Sequence, residues 1–225
     1  MMTSSADGNG RTLWQMLKGD NKKKKAEYRF FNPLSMEIGN HVDLDVEGKR
    51  GIAFQLERIC VYQTHILDET FEQTDYWLKG VSPTSSEYVR CVLRLEEDRD
   101  SFSETGCRVY VYDLFEEFPW DEDFEQILYD ESNIFVVEEE ESRQDFYRIA
   151  NVFDAYQATV VDLFDKDQDG NVDDSEITCK AVEYWDYSTQ GELGDEFLWV
   201  VKDSDTGYFT LLKGVETSAQ NVMVI

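Results

Sequence analysis

Basic side chains are scarce in this 225-residue chain: 21 Lys and Arg stand against 48 Asp and Glu, a formal charge of −27. A field of that sign repels nucleic-acid phosphates and anionic membrane surfaces and favours cations and basic partners. Neither a nucleic-acid partner nor membrane insertion is therefore expected. Histidine is rarer still, with only His41 and His65, so a Ser-His-Asp or Cys-His centre would have to use one of these two. Both read as ordinary turn or strand-end residues. The four cysteines, Cys60, Cys91, Cys107 and Cys179, form no C-x-x-C pair and have no histidine nearby in sequence, which leaves a structural zinc site little to build on. No apolar run approaches the ~18 residues needed to span a bilayer, and no apolar signal region follows the N-terminus. A cytoplasmic protein with reduced thiols is expected. Gly-rich phosphate loops, G-x-S-x-G and H-E-x-x-H are all missing.

With only three prolines, strands are seldom interrupted, and the 14 % aromatic and 41 % hydrophobic content is enough to bury a core. From residue 27 the pattern has period two. In "YVRCVLRL", Val89, Cys91, Leu93 and Leu95 alternate with Tyr88, Arg90, Val92 and Arg94; in "CRVYVY", Cys107, Val109 and Val111 alternate with Arg108, Tyr110 and Tyr112. Both read as half-buried strands of a hairpin, with Cys91 and Cys107 as neighbours on its apolar face. "GIAFQLERICVYQTH", "TDYWLKG", "FLWVVKD" and "GYFTLLKG" read as further strands, and "KDSDTG" (202–207) as a hairpin turn.

The expected class is mainly β (α+β at most). Its four regions are a tail with a short helix at "TLWQMLKG" and a Lys run (1–26), a first β domain (27–115), an acidic connector (116–145) and a second β domain (146–225). "RICVYQTH", "TDYWLKG" and "EYVRCVLR" echo in order "KAVEYWDY", "DEFLWVVKD" and "GYFTLLKG", which suggests two related small antiparallel sheets or barrels. The connector holds 13 acidic residues and one basic residue, where an even spread would place about 6 acids. It reads as an ordered, solvated face on which a basic partner protein could dock.

One stretch carries chemistry. In "DKDQDGNVDDSE", Asp165, Asp167 and Asp169 occupy positions 1, 3 and 5, Gly170 position 6, Asn171 position 7, Asp173 position 9 and Glu176 position 12. Calcium takes six to eight hard oxygens at about 2.3–2.6 Å and tolerates irregular geometry. Alternate residues of a tightly curled loop point inward and supply them, with Gly170 permitting the sharp turn. Asn171 would contribute its carbonyl and Glu176 two oxygens. The stretch resembles the EF-hand calcium loop at every ligand position, including the aliphatic Val172 at position 8. That resemblance implies a Ca2+ site at Asp165, Asp167, Asp169, Asn171, Asp173 and Glu176. The flanks depart from the family. "YQATVVDLF" reads as an entering strand; downstream, a helical turn near Ser175–Ile177 leads into another strand.

The functional expectation is a non-enzymatic, soluble calcium-binding protein whose single structural site braces a β-rich interaction module. The alternatives are an acidic mimic or inhibitor of a basic partner, and a hydrolase using paired carboxylates such as Glu116 and Glu117.

Overall fold

A computed structural model describes residues 36–66, 69–97, 107–137, 143–149, 155–164, 176–191 and 194–225. The strands are β1 (His41–Leu44), β2 (Ala53–Ile66), β3 (Glu69–Val81), β4 (Tyr88–Glu97), β5 (Cys107–Pro119), β6 (Asn133–Val137), β7 (Arg143–Arg148), β8 (Tyr156–Phe164), β9 (Glu176–Gly191), β10 (Gly194–Asp203), β11 (Tyr208–Thr217) and β12 (Val222–Val224). Among the described residues one α-helix, α1 (Glu122–Asp130), lies between β5 and β6. The alternating runs of the sequence thus form strands, and the class is mainly β. The helix expected at 12–19 lies outside the described residues.

The two expected sheets are in fact one closed structure. Antiparallel pairing runs β2-β3-β4-β5-β11-β10-β9, and β8 pairs with both β9 and β2 to complete an eight-stranded barrel. The segments 53–119 and 156–217 each supply four strands, because neither four-stranded meander can satisfy both of its edges alone, and closure removes all four. The echoed segments correspond to β2–β4 and β9–β11. Both begin on a strand antiparallel to β8, yet they travel round the barrel in opposite senses, so no rotation superposes them. The strand order instead permits a two-fold relating β2–β5 to β8–β11, one strand out of step with the echo.

Long strands reach past the barrel. One edge of β2 pairs with β1 at residues 53–55 and with β8 at residues 58–64. The change of partner falls at a bulge between Leu56 and Arg58, which also reverses which parity of β2 faces the core. Likewise β9 pairs with β8 in its first half and with β7 near Tyr187 and Ser188.

Three apolar layers result. One draws on all eight barrel strands and lines the interior, including Tyr62, Val92, Tyr112, Val160, Tyr184, Trp199 and Leu212. A second lies outside β2–β5, where Ile59, Leu78, Cys91, Leu93 and Val111 pack under Val42 and Leu44 of β1 and Val222 of β12. The third lies outside β9–β11, where Trp185, Leu198, Val200 and Phe209 are covered by Leu128 of α1 and by Ile134, Val136 and Phe146 of β6 and β7. Strand β4 is therefore buried on both faces, so the face carrying Val92 and Arg94 is the inside of the barrel and not a solvent face. Cys91 and Cys107 are not neighbours. Cys91 stands opposite Asp113 and Cys107 opposite Glu97, six residues apart along the ladder, a separation of roughly 20 Å.

Within the acidic connector, the described residues 116–137 and 143–145 form strand and helix. Asp121 caps α1 by accepting from the Phe124 amide at 2.8 Å, and the acids Glu122, Asp123 and Glu125 suit the positive end of the helix. Lys202 of β10 ties the helix down through Glu125. "KDSDTG" forms the expected turn: Asp203 accepts from the amides of Asp205 and Thr206, and Gly207 takes φ +71°.

At the β5–β11 seam, a Cβ on Gly214 would lie 2.3 Å from the Val111 carbonyl and 2.7 Å from Tyr112 Cα. Both are backbone atoms that cannot step aside. Gly214→Ala is expected to lower stability in urea unfolding by roughly 1–3 kcal/mol or more; an unchanged midpoint would mean that the seam is looser than described.

Candidate functional site

The chemistry inside the barrel centres on an ion pair. Asp75 of β3 and Arg94 of β4 are direct cross-strand partners. Arg94 Nε donates to Asp75 Oδ1 at 2.7 Å and Nη2 donates to Oδ2 at 2.9 Å, with both side chains fully buried. The fork geometry suits a planar guanidinium against a carboxylate. The guanidinium carbon sits 3.4 Å from the ring centre of Trp199 and 4.8 Å from that of Tyr112. Burial works against the Arg94 charge, but the adjoining Asp75 carboxylate more than offsets it and holds the group protonated. Tyr62 meets Trp199 edge-on at 5.0 Å, so the pair and three rings form a partition across the barrel.

Above the partition the interior is acidic. Glu96 of β4 and Asp186 of β9 line a cavity of about 210 Å³ with Thr64, Gln73, Tyr156 and Tyr184. The Tyr184 hydroxyl and Thr64 Oγ1 are 2.9 Å apart, and Tyr156 stacks on Tyr184 at 5.1 Å. Burial pushes the Asp186 carboxyl up to about 7, opposed by Arg94 and reinforced by Glu96 and Asp75. Burial raises Glu96 as well, with Arg94 opposing and Asp75 adding. Three carboxylates face one guanidinium here, and a proton relieves the imbalance.

Below the partition lies a larger cavity of about 490 Å³, walled by Tyr62, Trp77, Val182, Trp199, Val201 and Leu212, with Arg58, Lys180 and Asp203 at its mouth. Lys180 is paired with Asp203, and Arg58 lies 5.4 Å from the Trp77 ring centre. The segment between β8 and β9 leaves and re-enters the barrel at this end.

Of the expected calcium ligands, Asp165, Asp167, Asp169, Asn171 and Asp173 lie outside the described residues. Glu176 is the first residue of β9 and pairs with Phe164, the last of β8. The entering and leaving strands are as expected. The helical turn is not: Glu176 and Ile177 already belong to β9, because their backbones pair with Phe164 and Leu163. Among the described residues, no group of three or more His, Cys, Asp or Glu side chains is arranged to hold a metal ion. Glu116 and Glu117 fall at the end of β5, both exposed. His65 Nδ1 lies 3.0 Å from Thr70 Oγ1 across the β2–β3 turn, and His41 begins β1. No described helix is long and apolar enough to cross a membrane.

Sequence reading missed Asp75, Arg94, Glu96 and Asp186. The available signal was a lone Arg inside "CVLRL" and a lone Asp inside "EYWDY", each surrounded by strand-forming apolar residues. Comparison with known proteins finds no matching family model, no matching curated protein and no matching solved structure.

Two tests follow from the interior. Removing one partner of a buried ion pair leaves the other charge uncompensated, at about 3–5 kcal/mol. Arg94→Met is expected to lose that much in denaturant unfolding, and the double variant Asp75→Leu/Arg94→Met to recover most of it; equal losses in the two would refute the pairing. For Asp186, whose folded-state pKa stands above its unfolded value near 4, the folded protein retains a proton that the unfolded chain has released between about pH 4 and 7. Stability therefore falls as pH rises through that window and levels off above it. The melting temperature of the wild type should drop between pH 5 and 8, and Asp186→Asn should flatten the drop; parallel curves would contradict this placement of Asp186.

Proposed function

We propose that the chain is a non-enzymatic calcium-binding β-barrel in which the twelve-residue run from Asp165 to Glu176 takes one ion and braces the barrel at its closing strand. The observation that carries this reading is the pairing of Phe164 with Glu176. It brings the two ends of the carboxylate run together, with facing Cα atoms about 5 Å apart. In the EF-hand loops that this run resembles, alternate side chains converge on the ion. Like charges in such a loop repel strongly unless a cation lies among them.

The place in the fold gives the ion a structural task. β8 is the strand that joins β2 to β9, so closure of the barrel depends on its nine residues. An ion linking the end of β8 to the start of β9 stabilises the closed state by mass action, since the unfolded chain has no assembled site. Magnesium is the weaker candidate, because it prefers rigid six-fold geometry that a bidentate glutamate suits poorly. A binding protein of this kind needs no catalytic centre.

Calorimetric titration is expected to show one calcium per chain. With free calcium about a hundredfold above Kd, the melting temperature should stand roughly 5–10 °C above that in chelator. Asp165→Ala should abolish both effects while leaving the far-ultraviolet spectrum unchanged. A wild-type protein that melts alike in calcium and in chelator would overturn the proposal.

A further inference from the structure

The lower cavity has a chemistry of its own that calcium does not use. Its inner walls are Val182, Val201 and Leu212 together with Tyr62, Trp77 and Trp199, and its volume of about 490 Å³ falls in the range of small-molecule pockets. An eight-stranded barrel is wide enough either to fill itself with side chains or to hold one small ligand. Above the partition this barrel does mainly the first; below it, the interior stays open.

Two of the wall residues leave polar atoms unsatisfied. The indole N–H groups of Trp77 and Trp199 are buried and meet no hydrogen-bond acceptor, and Trp199 is only 1 % exposed. A buried donor without an acceptor is costly, so native proteins rarely keep one without a reason. An indole N–H only donates. What completes it must be an acceptor, such as a carbonyl oxygen, and a group with only donors would not serve. Trp120, by contrast, donates to Glu125 Oε2 at 2.6 Å, and Trp185, whose N–H likewise meets no acceptor, lies in the outer layer under α1 and not in this cavity.

Charge narrows the class further. Near the mouth, Glu117, Asp203 and Asp205 stand against Arg58 and Lys180, and Lys180 is already paired with Asp203. Added to a formal −27, this disfavours an anionic ligand. A cation would be drawn to the aromatic rings but would leave the indole N–H groups without an acceptor, and a sugar would bring many hydroxyls against the apolar inner walls. We infer that the lower mouth of the barrel binds a small, uncharged, planar aromatic ketone or lactone, whose rings pack against Trp77, Tyr62 and Trp199 and whose carbonyl oxygen accepts from the indole N–H groups. The ring faces supply stacking area at little entropic cost, and the carbonyl supplies orientation.

Flavone is a suitable probe because it is uncharged, planar and carries one ketone; 2-phenylnaphthalene has the same outline without the carbonyl. With 15N-labelled tryptophan, flavone should shift the indole N–H resonances of Trp77 and Trp199 and leave those of Trp120 and Trp185 in place. Single Trp→Phe variants assign the signals. Equilibrium dialysis should give one flavone per chain, at least fivefold weaker binding for Trp77→Phe, and weaker binding still for 2-phenylnaphthalene. Thr210→Trp, which narrows the mouth from β11 without touching the inner wall, should block uptake in a protein with unchanged circular dichroism. Absence of saturable flavone binding up to its solubility limit would overturn the inference. So would shifts confined to Trp120 or Trp185, or equal affinity in folded Trp77→Phe. None of these outcomes bears on calcium.

Discussion

A guanidinium taken wholly out of water needs a fixed counter-charge, and the barrel is arranged to give Arg94 one. Asp75 stands opposite it in the β3–β4 ladder, Trp199 covers its face, and Tyr112 and Tyr62 close the ring around it. Residues from β2, β3, β4, β5 and β10 must all be in place before the pair is enclosed. The interaction therefore selects for the closed barrel over any open sheet, in which Arg94 would meet water and gain little from Asp75. The acidic upper chamber and the aromatic lower one are the two spaces that this partition separates.

The rest of the chain serves closure from outside. Barrel strands with apolar residues on both faces cannot be left bare, and the two lateral additions cover them. β1 and β12 lie over the outer face of β2–β5, while α1, β6 and β7 lie over β9–β11. Each addition joins the barrel where a long strand outruns β8: at the start of β2 and at the end of β9. The shortness of β8 thus makes room for both, and leaves the β8–β9 connection at the end of the barrel where the lower cavity opens.

Strand positions were legible because alternation at period two is a local property, and every run quoted for it lies in a strand. The direction of each face was not. In "YVRCVLRL" the apolar positions Cys91 and Leu93 look like the buried side and Arg94 like the wet one, since sequence alone prices a charge as exposed. Only the arrival of Asp75 and Trp199 from other strands makes the interior tolerable for it. The bulge after Leu56 also escaped notice, because nothing in "QLERI" announces a change of parity. Helix α1 was legible in principle, with Asp121 as a cap and Phe124 and Leu128 one turn apart, but the acid content of the connector masked that pattern. Closure into one barrel depends on pairs between residues about 100 positions apart, such as Cys60 with Asp162, and no local pattern reports those. The expected calcium ligands were read from spacing alone; of these only Glu176 lies among the described residues, and it opens a strand and does not follow a helical turn.

The proposed role rests on the idea that a divalent ion at the tip holds the closing strand in place. Amide hydrogen exchange along β8, followed in calcium and in chelator, measures that directly. If the ion braces the seam, the amides of Thr159, Val160 and Val161 exchange more slowly with calcium bound, while those of β3 and β4, held by the Asp75–Arg94 pair, change little. Exchange along β8 that is the same in both conditions would contradict the role assigned to the ion.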